Sequence, residues 1–141
     1  LDKVLAKTNW DPGSSTWSSY ADCEHVGTHR VAKEAFITAV AQERHRSLVW
    51  DLGANDGYYS RIAAGEQRKV LAVDGDPLVV DRLYQSLAAE GNDFILPLVV
   101  DLSDPSPATG WRQRERTALG DRARPDLVVI TGDLHQYRHL Y

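Results

Sequence analysis

Apolar residues recur along this chain in two alternating rhythms. In residues 28–46, Val31, Ala32, Ala35, Phe36, Ala39 and Val40 stand at helical spacing. The pattern predicts a helix with that apolar stripe, Thr28 as its N-cap and Arg44, His45 and Arg46 near its C-terminal end. A short apolar run over 47–52 follows and stops at Gly53, reading as a strand buried on both faces. The rhythm then repeats. Residues 58–64 read as a helix, 69–73 as a strand, and 78–91 as a helix capped by Asp76-Pro77 and closed near Gly91. Residues 94–100 form a third strand pattern and 126–130 a fourth. Between them lie a Pro- and Ser-containing loop (103–110) and an expected helix (111–122).

A helix followed by βαβαβαβ indicates a parallel sheet with helices on its faces, joined by right-handed crossovers. At 141 residues the chain is sized for one domain. The polar, aromatic residues 1–25 read as an N-terminal extension or lid, in which Trp17 and Tyr20 are the residues to test, and residues 26–141 as the domain proper. Hydrophobic residues at 43% and charged residues at 26% are globular proportions, which argues against disorder. No apolar run approaches the ~20 residues that span a bilayer. One cysteine, Cys23, leaves no pair for an internal disulfide, so a reducing, cytoplasmic setting is expected. The absence of methionine, Leu1 as first residue and four strand patterns suggest a partial chain.

The net charge of −4 disfavours whole-domain attraction to nucleic acid or an anionic membrane. Arg112, Arg114, Arg116, Arg122 and Arg124 crowd one stretch, read first as a solvated helix face and second as a patch for an anionic substrate.

The chemistry concentrates at strand ends. Asp51-Leu52-Gly53-Ala54-Asn55-Asp56-Gly57 joins a buried strand to a helix. Gly53 permits a sharp turn and close backbone approach by a ligand, and Gly57 permits the helix start to pack close to the sheet. Such turns at the C-terminal edge of parallel strands are where open α/β sheets bind ligands. Asp74 ends the second strand, where a carboxylate can accept both hydroxyl hydrogens of a ribose. Gly75 follows it. Asp101 ends the third strand, suited either to an exocyclic amine or to a polar strand cap, with Leu102 beside it to press on a base.

Together these features suggest a nucleoside site. The turn lacks the G-x-G-x-x-G spacing that brings amides onto a pyrophosphate. Asp51 and Asp56 would also repel one, and suit instead a ligand with a positive centre and an amino group, such as S-adenosylmethionine (SAM).

At this point the chain resembles class I SAM-dependent methyltransferases over about residues 45–131. Residues 49–60, VWDLGANDGYYS, resemble their first motif in a G-x-N-x-G variant similar to FkbM-type O-methyltransferases. The longer pattern resembles methyltransferase-like proteins related to nodulation protein NoeA. It includes VDGDP at 73–77, ILPLVVDLSDPSP at 95–107, GWR at 110–112 and RPDLVV at 124–129. Asn55 stands where the usual motif has its middle glycine.

The resemblance implies a Rossmann-like, doubly wound, mostly parallel sheet with helices on both faces, present here only in part. It implies SAM contacts from Asp51, Gly53, Ala54, Asn55, Gly57, Asp74, Gly75, Asp101 and Leu102. It further implies methyl transfer, with oxygen of a small-molecule or glycan-like acceptor as the expected target. His135 is a weak candidate for a base on the acceptor side, against an exposed histidine in a frayed end. Asp22, Glu24, His25 and His29 make a poor metal set in a polar stretch, so no metal is expected. A non-catalytic methyltransferase-like binding module and an NAD(P)-dependent oxidoreductase remain the alternatives.

Overall fold

The computed structural model describes Gly13, residues 25–65 and residues 67–131. Trp17, Tyr20, Asp22, Cys23, Glu24 and His135 lie outside the described residues. The elements run α1 (His25–Gln42), β1 (Leu48–Leu52), α2 (Tyr58–Ala64), β2 (Lys69–Asp74), α3 (Pro77–Glu90), β3 (Ile95–Val99), a 3-10 turn (Trp111–Gln113), α4 (Leu119–Arg122) and β4 (Leu127–Ile130). The four strands are parallel in the order β3-β2-β1-β4. The direction of winding therefore reverses between β1 and β4, which opens a crevice at the C-terminal edge there.

Register and alternation fix where the core sits. Val49 lies beside Val70 and Leu127, Val70 beside Ile95, and Asp51 beside Ala72 and Val129. Successive side chains of a strand point to opposite faces, so this set shares one face. It packs with Ile37 of α1, Ala63 and Ala64 of α2, and Leu83 and Leu87 of α3 in one buried cluster. On the opposite face, Leu96, Val128 and Ile130 are about half exposed.

Local chemistry explains the helix ends. The Asp76 carboxylate accepts from the Leu78 amide at 3.0 Å, and Pro77 takes the first helical position of α3, where its missing N–H costs nothing. Gly91 ends α3 in the left-handed conformation at φ 65°, and its amide reaches back to the Ala88 carbonyl.

Two expectations are corrected. Helix α1 begins at His25, so Thr28 lies inside it rather than capping it. Its expected stripe faces outward, with Val31 74% and Phe36 69% exposed, whereas Ile37 and Ala41 are buried. Ile37 joins the core cluster that covers the sheet, and spacing alone does not tell which of two apolar sides does so. Arg46 lies beyond the helix and folds back, donating to the Val40 carbonyl and to the Asp126 carbonyl.

The second correction concerns residues 111–122, which do not form the expected helix. The 3-10 turn and α4 bury no residue. Thr109 and Arg116 instead pair as an antiparallel bridge. The segment lacks an apolar stripe to dock on the sheet, and a helix without one gains little from packing. Its four arginines, and Arg124 just beyond, are exposed, as a solvated stretch would have them, but not along one helix face.

Candidate functional site

The turn between β1 and α2 is built from backbone. The amides of Gly53 and Ala54 both donate to the Val73 carbonyl, at 2.8 and 3.0 Å, which tucks the turn over the end of β2. Gly53 sits at φ 76°, with open space where a side chain would project. Asn55 also lies at positive φ, 48°, a region asparagine tolerates better than most residues. Gly57, at φ 73°, leaves no room: an added Cβ would lie 2.5 Å from Leu83 Cδ1. The close neighbour is therefore Leu83 of α3, not the sheet, against which the glycine is expected to let the helix start pack.

Asp74 serves that turn directly. Its Oδ2 accepts from the Asn55 amide at 3.0 Å and its Oδ1 from the Asp76 amide at 3.0 Å. One carboxylate thus ties the turn to the start of α3. Each oxygen has a second lone pair, so acceptor capacity remains. This anchoring role was not read from the sequence, because the two amides become neighbours only when β1 and β2 pair.

Asp51 is the buried centre of the site, fully enclosed beneath the turn. Its Oδ2 accepts from Ser60 Oγ at 2.6 Å, while its Oδ1 is enclosed without a hydrogen-bond partner. Burial pushes its pKa up to about 6; the Ser60 bond opposes that shift and the nearby Asp74 and Asp56 charges add to it. Ser60 is itself fully buried on α2. It carried a signal that went unread, a lone hydroxyl on the apolar side of a short helix, nine residues after a strand-end aspartate.

Asp56 is exposed; its Oδ1 accepts from the Tyr58 amide at 3.1 Å. Desolvation nevertheless raises its pKa, with Arg61 and Arg30 pulling the other way. Arg30 of α1 lies over the Tyr58 ring, 3.6 Å from its centroid, which brings α1 against the turn.

Asp101 is less integrated. It is exposed, and its Oδ1 accepts from the Ser103 amide at 2.8 Å and the Ser103 hydroxyl at 2.6 Å. These bonds, the hydroxyl first, hold its pKa below the usual carboxylate range. Asp101 thus closes a tight turn with Ser103 in the loop after β3. Its neighbour Val100 donates to the Asp74 carbonyl at 2.9 Å, which keeps this strand end beside Asp74, and Gly75 lies 3.9 Å from the Val100 carbonyl when given a Cβ. Leu102 is half-buried. Asp51, Gly53, Ala54, Asn55, Gly57, Asp74 and Gly75 thus form one continuous site at the C-terminal edge, with Asp101 and Leu102 on its flank. Among the described residues, no group of three or more His, Cys, Asp or Glu side chains is placed to hold a metal ion. No helix among them is long and apolar enough to cross a membrane.

Comparison with solved structures places this architecture. A SAM-dependent methyltransferase from Aquifex aeolicus superposes with a TM-score of 0.57 at 16% identity, covering 86% of this chain and 60% of that one. The chain has the class I SAM-dependent methyltransferase fold. A putative RNA methyltransferase from Pyrococcus horikoshii gives 0.56 at 19% identity, covering 95% of this chain and 59% of that one. Precorrin-6y C5,15-methyltransferase from Geobacter metallireducens gives 0.56 at 16% identity, covering 78% and 52%. In sequence, nodulation protein NoeA of Rhizobium meliloti (strain 1021) is 33% identical over 124 residues, or 86% of this chain. The chain spans about a quarter of that relative's length, 26%. No protein-family model matches the chain.

Proposed function

We propose that this chain carries the cofactor-binding half of a SAM-dependent methyltransferase. The observation that carries the reading is the enclosed Asp51 Oδ1 without a donor beneath a backbone turn at the switch point. A buried polar atom left unpaired in a native protein calls for a partner such as an ion or water. SAM supplies an ammonium group and a sulfonium methyl, both compatible with the negative charge of Asp51, Asp56 and Asp74. Gly53 offers open backbone for close approach, and the spare lone pairs of Asp74 suit ribose hydroxyls. The same three carboxylates disfavour a pyrophosphate, which weighs against the oxidoreductase alternative.

The residues fit the cofactor through distinct tasks. Asp51 acts through charge at short range, its oxygen completed by an ammonium or by a water bridging to one. Asp74 holds the turn and orients the ribose. Asp101 and Leu102 flank the adenine. Methyl transfer is a displacement at carbon, so the chain's main work is positioning the reactants and excluding water. The acceptor, an oxygen of a small or glycan-like molecule, is proposed from the resemblance to FkbM-type O-methyltransferases; a cytoplasmic setting is proposed from the single cysteine.

Calorimetry of the full-length protein with S-adenosylhomocysteine and, separately, NAD tests the cofactor assignment. Binding of the first without the second is expected. Binding of NAD alone, or of neither, overturns the proposal.

A further inference from the structure

Arg61 makes an unusual set of contacts for a half-exposed side chain. Its Nη1 donates to the Asp56 carbonyl inside the glycine turn at 2.8 Å. Its Nε and Nη2 donate to the two carboxylate oxygens of Glu90 at 3.2 and 2.6 Å, a fork-to-fork pair with the last residue of α3. Nη2 also donates to Ser86 Oγ at 3.0 Å, and that hydroxyl donates to Glu90 at 2.8 Å. The same guanidinium would lie 3.0 Å from a Cβ at Gly57. One planar group thus spans the turn, α2 and α3.

Its place matters more than its energy. A partly exposed ion pair adds little to global stability, since solvent screens it and ordering two side chains costs entropy. The Asp56 carbonyl, however, belongs to the segment proposed above to lie against the cofactor. That segment is otherwise held by the Asp74 carboxylate on the β2 side and by the Leu83 contact beneath Gly57. Arg61 adds a donor to a turn carbonyl from the α3 side.

We infer that Arg61, braced by Glu90 and Ser86, is a positioning residue that fixes the cofactor turn from the α3 side and so sets cofactor affinity. The inference rests on the cofactor reading above for its ligand, but not for its geometry. Lysine at position 61 keeps the charge but cannot reach the Asp56 carbonyl and both Glu90 oxygens together.

The test pairs binding with stability in full-length protein carrying Arg61→Ala, Arg61→Lys, Glu90→Gln or Ser86→Ala. S-adenosylhomocysteine affinity is expected to fall about tenfold in both Arg61 variants. Glu90→Gln should show a smaller loss, Ser86→Ala the least, and the melting temperature should barely move. Amide exchange in residues 53–58 of the unliganded protein should speed up in the same order. Affinity within twofold of wild type in both Arg61 variants overturns the inference. So does a loss of affinity that merely follows a loss of global stability. If the Arg61 variants do not fold, Glu90→Gln decides alone, and unchanged affinity and exchange there overturn the idea. If wild-type protein binds no S-adenosylhomocysteine, the cofactor reading fails, and the exchange measurement still decides whether Arg61 holds the turn.

Discussion

The two ends of β1 each meet an aspartate, and the two carboxylates are treated in opposite ways. At the N-terminal end, Asp126 Oδ2 accepts from the Ser47 amide at 2.7 Å, the Ser47 hydroxyl at 2.7 Å and the Leu48 amide at 3.0 Å. These bonds, the hydroxyl first, lower its pKa to about 2. At the C-terminal end, Asp51 is enclosed with one donor and a vacant oxygen, and burial raises its pKa to about 6. A satisfied carboxylate at one edge ties strands together. An unsatisfied one at the other edge is a cost the fold retains, and open α/β sheets bind ligands at that edge. The difference sets a carboxylate that ties strands against one proposed to meet the cofactor, along one five-residue strand.

Three outcomes bear on that contrast. The largest effect is expected from Asp74→Ala. It removes the acceptor that holds both the Asn55 and Asp76 amides along with the proposed ribose acceptor. S-adenosylhomocysteine affinity should drop on the order of 100-fold, given two charge-assisted bonds to the backbone and those to the ligand. Titration calorimetry checks this, and a loss under tenfold would mean that Asp74 does not organise the site.

Comparable in size is the pH dependence of stability without ligand. Asp51 has a folded pKa above its unfolded value, so between about pH 4 and 6 the folded state keeps a proton that the unfolded state has released. Raising the pH through that window should therefore lower stability, by roughly 3 kcal/mol for this group alone. Asp126 has the opposite sign. Its contribution is present at neutral pH and is lost as the pH falls below about 4 towards 2. Urea denaturation across pH 3 to 7 should show both limbs, and a stability that rises steadily from pH 4 to 6 would contradict the Asp51 assignment.

The smallest effect should come from Asp126→Asn. It weakens the tie between β1 and β4 at the edge away from the site. The melting temperature should fall by a few degrees while cofactor affinity stays unchanged. A changed affinity would blur the separation of the two edges.

The same contrast marks what the sequence discloses. Strand ends, the glycine turn and the Asp76-Pro77 cap follow from local patterns, because each depends on residues a few positions apart. Asp126 donates nothing to such a pattern, since its partners stand 78 and 79 residues away. Arg61 and Glu90 are likewise 29 apart and meet only after α2 and α3 dock. The α1 stripe misled for a related reason: Val31 and Phe36 have helical spacing, but burial is decided by which side meets the sheet, and Ile37 lies on that side. Residues 111–122 hold no apolar face, so the helix expected there has nothing to dock and only short turns form. Asp101 showed its position but not its partner, because Ser103 two residues on claims the same oxygen.

On the proposed reading, Asp51 is kept buried and underbonded for a cationic ligand at the expense of stability. Asp51→Asn tests it by two readings on one protein at pH 7, unfolding free energy and S-adenosylhomocysteine affinity. The amide has nearly the same shape and no charge to desolvate, and it still accepts from Ser60. Stability should rise, by on the order of 2 kcal/mol, and affinity should fall about tenfold with the loss of its pH dependence between 4 and 6. A variant that loses stability, or that gains it with affinity unchanged, would contradict the claim.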